Sequence, residues 1–132
     1  MTTVHEYHSD VLAWIEQDPD PETVAELRAL LEASETGDLQ AQAEINDRFS
    51  TRLSFGTAGL RGAIAAGPNR MNRVVVIQAA AGLARYLLAN AREGKTPSVV
   101  IGFDGRKNSD VFARDTAEIM SGDRKSTRLN SS

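Results

Sequence analysis

One short run of residues constrains the fold more than any other feature. Ser98 to Phe103 (SVVIGF) is apolar, rich in β-branched side chains, and bounded by Pro97 and Asp104. Such a run fits a strand buried on both faces, as in a parallel sheet. The stretch before it, Asn72 to about Arg92, reads as one long helix. Ile77, Ala80, Ala84, Leu87 and Ala91 share a face, the alanines permit close packing, and Gly94 and Pro97 bound its end. A polar loop follows the run, Asp104 to Asn108. Ser109 can then cap a helix to Met120, with Asp110 in its first turn and Phe112, Thr116 and Ile119 inward. Upstream, Leu53 and Phe55 alternate with polar neighbours as in a short strand, and Gly56 to Gly62 make a glycine-rich turn. The order strand, loop, long helix, strand, loop, helix is a βαβα unit, so the fold class is α/β. A right-handed crossover sets the two strands parallel and their C-terminal loops on one sheet edge. Open α/β sheets bind ligands at that edge.

The first fifty residues follow a different rule. Val11, Trp14 and Ile15 continue a helical spacing begun at Val4 and Tyr7, and Asp18-Pro19-Asp20-Pro21 breaks it. Asp20 is then a good N-cap, with Pro21 at the first helical position and Glu22 near the positive end of the dipole. Val24, Leu27, Leu30 and Leu31 form the next stripe. Gly37 ends it, and Asp38 can cap a third helix to about Arg48. Charge divides at the same place. Residues 1–50 hold twelve Asp/Glu against two Lys/Arg, and residues 51–132 hold six against thirteen. The prelude reads as a packed helical extension with a solvated acidic face; a module that recruits a basic partner is the other reading.

Several classes of function drop out. With no cysteine there is no disulfide framework and no thiol nucleophile. His5 and His8 are the only histidines, too few to complete a metal site. The acidic N-terminus lacks the basic start of a signal peptide, and Gln78, Arg85 and Asn90 interrupt the most apolar stretch, so no membrane span is expected. The expectation is a cytoplasmic protein.

Two loops carry groups suited to an anion. In Phe55–Gly62 (FGTAGLRG) glycines recur at every third position, Thr57 offers a hydroxyl, and Arg61 offers a planar fork of donors. The plain alternative is a tight structural turn with a surface arginine. The spacing is not that of a dinucleotide fingerprint, and Gly94-Lys95-Thr96 is not a phosphate-binding P-loop, because Ala89 stands where that motif needs glycine. In Asp104–Ser109 (DGRKNS), Arg106 and Lys107 can face an anion, and Asp104 can orient an arginine or the loop; the alternative is a charged surface turn. Gly67–Asn72 (GPNRMN) puts Arg70 and Arg73 near a helix N-terminus, where a cation is unfavourable unless an anion or acidic partner offsets it.

Together, FGTAGLRG, GPNRMN, the alanine-rich helix and VVIGFDGRKNSDVFARDTAEIM resemble the start of the phosphohexomutase superfamily, which includes phosphoglucomutase and phosphomannomutase. The helical prelude is similar to the branch holding phosphoglucomutase-2 and phosphopentomutase. The resemblance runs from about Val11 to Met120 and implies an incomplete first domain of that family. It implies a phosphosugar substrate, a phosphoserine that donates to a sugar monophosphate, and a sugar bisphosphate intermediate that reorients. It also implies Mg2+ held by aspartates of a later domain. By motif, Arg61 and Arg106 match the family's phosphate-handling positions, with Thr57 and Lys107 weaker candidates.

The chain also departs from the family. It has no Thr-Ala-Ser-His-Asn-Pro loop and no aspartate-rich metal loop, so no catalytic residue is assigned, and these residues are expected to be inactive alone. Ser121–Ser132 (SGDRKSTRLNSS) is polar and aperiodic. The expected organisation is an acidic helical extension over 1–49, a partial first domain over 50–120, and a disordered foreign or artefactual tail over 121–132. The competing reading, a stand-alone phosphate- or nucleic-acid-binding α/β module, uses the basic second part. Its aromatics Tyr86, Phe103 and Phe112 sit in core elements and do not interleave with the charges, so no nucleic-acid partner is expected.

Overall fold

A computed structural model describes residues 7–57, 59–122 and 126–131. Val4 and His5, and Asp123 to Lys125 of the tail, lie outside the described residues. The chain divides into two units, Met1–Val75 and Val76–Ser132.

The first unit begins with three helices, α1 (His8–Gln17), α2 (Pro21–Glu35) and α3 (Leu39–Phe49). The corner between α1 and α2 is tied by one carboxylate. Asp18 accepts from Trp14 Nε1 (3.1 Å), from the backbone N–H of Asp20 (2.9 Å) and from the Thr23 hydroxyl (2.5 Å). Asp20 caps α2 through the Glu22 N–H (2.9 Å) with Pro21 at the first turn, as its residue type dictates. Asp38 caps α3 through the N–H groups of Gln40 and Ala41. The apolar stripes meet in a core of Val11, Trp14, Ile15, Leu27, Leu31 and Ile45. Val11, Leu27 and Ile45 are wholly buried, and each contributes about 2 kcal/mol. Trp14 meets Phe49 edge-to-face, centroids 6.1 Å apart.

The same core reaches beyond the helices. Ala66, Val74 and Val75 join it, the last two from the start of α4 (Arg73–Ala89). Between α3 and α4 the sequence suggested a strand at Leu53–Phe55 followed by a turn. The chain instead makes a small hairpin, β1 (Phe55–Gly56) antiparallel to β2 (Gly59–Leu60). The glycines decide this. Gly59, the first residue of β2, takes φ +96° as the chain leaves the turn, and a Cβ on Gly62 would stand 2.8 Å from a Leu53 methyl. Gly56 meets neither demand.

The second unit holds the rest of α4, β3 (Ser98–Phe103), α5 (Ser109–Gly122) and β4 (Ser126–Ser131). Its core is Ala80, Ala84, Ile101, Ala113 and Met120, with Val99 and Phe103 packed against it. The unit is α/β, with two differences from expectation. β3 is covered on one face only: Ile101 is buried while Val100 is 65% exposed. And β3 pairs parallel with β4, Ser98 opposite Ser126 through Phe103 opposite Ser131. The tail expected to be disordered therefore contributes a strand. Backbone pairing to the open edge of β3 explains it, since STRLNS has no apolar alternation of its own. The parallel β3–α5–β4 connection replaces the expected pairing of β3 with the strand near Phe55. Among the described residues, β1 and β2 form one sheet and β3 and β4 another. No helix of the described residues is long and apolar enough to cross a membrane.

Candidate functional site

The loop after β3 holds the most organised polar group of the second unit. Asp104, at the strand's C-terminal end, accepts four hydrogen bonds. Its Oδ1 takes the Arg106 backbone N–H (3.0 Å) and the Ser109 hydroxyl (2.8 Å). Its Oδ2 takes Arg106 Nε (2.8 Å) and Nη2 (2.7 Å). The Arg106 side chain, its backbone N–H and the Ser109 hydroxyl together hold the Asp104 carboxyl well below the usual carboxylate range. The same pairing raises Arg106 further, so it stays a cation. Its side chain is 85% exposed, so the pair orients the guanidinium more than it stabilises the fold.

The turn that permits this is backbone chemistry. Asn108 has φ +66°, a left-handed geometry that asparagine tolerates. Its carbonyl accepts from the Phe112 N–H (2.8 Å), which starts α5. Ser109 was expected to cap this helix; it is instead the first helical residue, and its hydroxyl turns back to Asp104. A cavity of about 250 Å³ opens beside the group, lined by Phe103, Asp104, Arg106, Ser109, Phe112 and Thr116 among others. Phe112 and Thr116 were read as core, and both face this cavity. The spacing that marks the group is an aspartate with arginine two and serine five positions on. Lys107 is exposed on the same loop.

Of the other expected site residues, Thr57 lies in the β1–β2 turn and Arg61 directly after β2, both exposed. They belong to the first unit, and Arg106 and Lys107 to the second. A larger cavity of about 530 Å³ runs along α2 and α3. Its lining includes Asp38, Glu44 and Asp47 and no cation, so it offers phosphate no charged donor; the smaller cavity with Arg106 is the anion candidate.

Arg70 answers to an acidic partner within the chain. It pairs with Glu44 (3.1 Å) and Asp47 (2.5 Å) on α3. Arg48, 9% exposed, is held by Glu26 and by Glu44 (2.7 Å) and donates to the Ala66 carbonyl (3.2 Å). The acidic helices thus hold the Gly67–Asn72 loop against themselves. Asn69 N–H reaches the Arg48 carbonyl (3.0 Å), and its side-chain amide the Asp47 carbonyl (3.0 Å). Asn72 completes the loop. Its amide donates to the carbonyls of Ala65 and Gly67 (both 2.8 Å) while its oxygen caps α4 through the Val75 N–H (3.0 Å).

Comparison with known proteins gives the family. The family described as phosphoglucomutase/phosphomannomutase, alpha/beta/alpha domain I, matches residues 52–125, more than half of the chain. The chain belongs to this family. A phosphoribomutase of Saccharomyces cerevisiae is 42% identical over 104 residues, 79% of this chain and 15% of that protein. A probable phosphomannomutase of Haemophilus influenzae is 71% identical over 52 residues, 39% of this chain and 10% of its own length. A phosphoglucomutase of Staphylococcus aureus is 40% identical over 81 residues, 61% of this chain and 14% of its own length. The chain therefore spans only a small part of the relatives it matches. No solved structure matches it. The family match takes in both loops and stops short of α1 to α3, so the helical prelude lies outside it.

The magnesium that the family resemblance implies finds no ligand set among the described residues. No group of three or more His, Cys, Asp or Glu suited to a metal occurs among the described residues. Asp104, the carboxylate at the cavity, already accepts four bonds from Arg106 and Ser109.

Proposed function

We propose that the protein is a phosphosugar mutase, interconverting a sugar 1-phosphate with its 6- or 5-phosphate through a phosphoserine and a sugar bisphosphate. The observation that carries the reading is the family match over the segment that holds both anion-suited loops. In phosphoryl transfer there is little for side chains to do beyond positioning and offsetting charge. Arg106, oriented at the mouth of a 250 Å³ cavity, would supply fixed positive charge there. Arg61 and the Thr57 hydroxyl would supply donors at the hairpin, and Lys107 a second cation on the loop after β3. The substrate is a phosphosugar, the setting cytoplasmic. These residues include neither a Thr-Ala-Ser-His-Asn-Pro loop nor an aspartate-rich loop, so by themselves they are expected not to turn over substrate.

The complete reading frame tests this. It is expected to encode the serine loop and the aspartate-rich loop, and its product to interconvert sugar phosphates. A frame without both loops refutes the reading. In that product Arg106→Ala and Arg61→Ala are each expected to cut turnover about a hundredfold while leaving the melting temperature nearly unchanged. Unchanged turnover removes the residue from its role.

A further inference from the structure

We propose that Asp104 and Ser109 are positioning residues that aim Arg106 into the cavity after β3 to meet a phosphoryl group. This rests on the reading of Arg106 as the phosphate-facing cation. An exposed arginine normally samples many rotamers and must lose them to bind an anion. In the structure Arg106 is held in one orientation by Asp104, although its side chain is 85% exposed. One edge of its fork, Nε and Nη2, lies on a single oxygen of Asp104 at 2.8 and 2.7 Å. The remaining donors of the fork stay available, because a guanidinium carries five N–H groups. Asp104 cannot swing with the arginine. Its other oxygen is held by the Arg106 backbone N–H at 3.0 Å and by the Ser109 hydroxyl at 2.8 Å, and Ser109 stands on α5. The chain of contacts runs from a helix, through a carboxylate, to a cation, and the cavity is lined by all three residues.

A carboxylate beside an anion site also repels the anion, so the sign of the effect is the test. Inorganic phosphate is titrated into the 15N-labelled 132-residue chain, with the Gly105 and Lys107 amides reporting binding and the Arg106 Nε–H resonance reporting the pairing. Asp104→Ala is expected to weaken phosphate binding about threefold or more and to lose the slowly exchanging Arg106 Nε–H signal. The same substitution in an Arg106→Ala background is expected to leave binding unchanged. Asp104→Asn, which keeps an acceptor for Ser109 and the backbone, is expected to restore part of the loss. Tighter or unchanged binding in Asp104→Ala overturns the proposal, because the carboxylate then only competes with phosphate. Equal weakening in both backgrounds also overturns it, because Asp104 then only supports the loop. A wild-type chain without response to phosphate, or an Arg106→Ala chain that binds as well as wild type, overturns the phosphate role of Arg106 itself.

Discussion

Replacing Asn72 by alanine is expected to destabilise the protein by about 3 kcal/mol, the sum of about 1 for a lost N-cap and about 1 for each of two stranded carbonyls. The structure supplies each term. Asn72 is 2% exposed, so water does not replace what is lost. Its oxygen accepts the Val75 N–H at 3.0 Å, the capping bond of α4. Its amide nitrogen donates to the carbonyls of Ala65 and Gly67, both at 2.8 Å. The lower end of the usual penalty is taken for those carbonyls because each keeps a second lone pair. Urea unfolding measures the effect, and at a slope of about 1.5 kcal/mol per molar the midpoint falls by about 2 M. Asn72→Asp separates the two halves. Aspartate caps as well as asparagine but donates nothing at neutral pH, so it is expected to keep the capping term and lose about 2 kcal/mol. An aspartate variant as stable as wild type refutes the donor half. An alanine variant within about 1 kcal/mol of wild type refutes the whole account and leaves only a cap.

Four further outcomes are expected. Gly67 has φ +109° and a Cβ there would stand 3.0 Å from Arg48 Cβ, so Gly67→Ala lowers the melting temperature by the equivalent of about 1–3 kcal/mol. Gly82, on the exposed face of α4 with nothing near its Cβ, gains about 0.5–1 kcal/mol on the same change. The Arg48 hydrogen bond, then the charges of Arg48 and Arg70, hold Glu44 below its ordinary value of 4.5 despite partial burial. Its stabilisation is present above that value and is lost as pH falls through the lower folded value. The unfolding midpoint should therefore drop below about pH 4.5, and Glu44→Gln should flatten the drop; with Glu44 39% exposed, the difference stays under about 1 kcal/mol. Finally, removing residues 1–49 strips Arg48, Glu44 and Glu26 from the Gly67–Asn72 loop, and the remainder is expected to aggregate; a soluble, folded remainder by gel filtration and circular dichroism refutes the clamp.

Local chemistry made the helices readable. Asp20 with Pro21, and Asp38 before an apolar stripe, set the starts of α2 and α3 from adjacent residues alone. SVVIGF was legible as a strand for the same reason, since six residues of one character need no distant partner. Pairing was not legible. Which strand lies beside β3 depends on what the chain brings to its edge, and a polar segment without periodicity pairs there through its backbone. The hairpin at Phe55–Leu60 was missed because the apolar alternation at Leu53 and Phe55 outweighed the left-handed glycine between them and Leu60.

The candidate site divides in the same way. The residue types that suit phosphate, Arg61, Thr57, Arg106 and Lys107, follow from the motifs alone. A planar, permanently charged fork is a property of the side chain wherever it sits. Only the tertiary structure decided what each cation meets. Arg70 and Arg106 look alike in sequence, each a cation in a glycine-containing loop before a helix. Arg70 is spent on Glu44 and Asp47, brought from another helix. Arg106 is held by a carboxylate two residues away and lines a cavity. Charge is written in the sequence; its neutralisation depends on distances of a few ångströms between residues that the fold alone brings together.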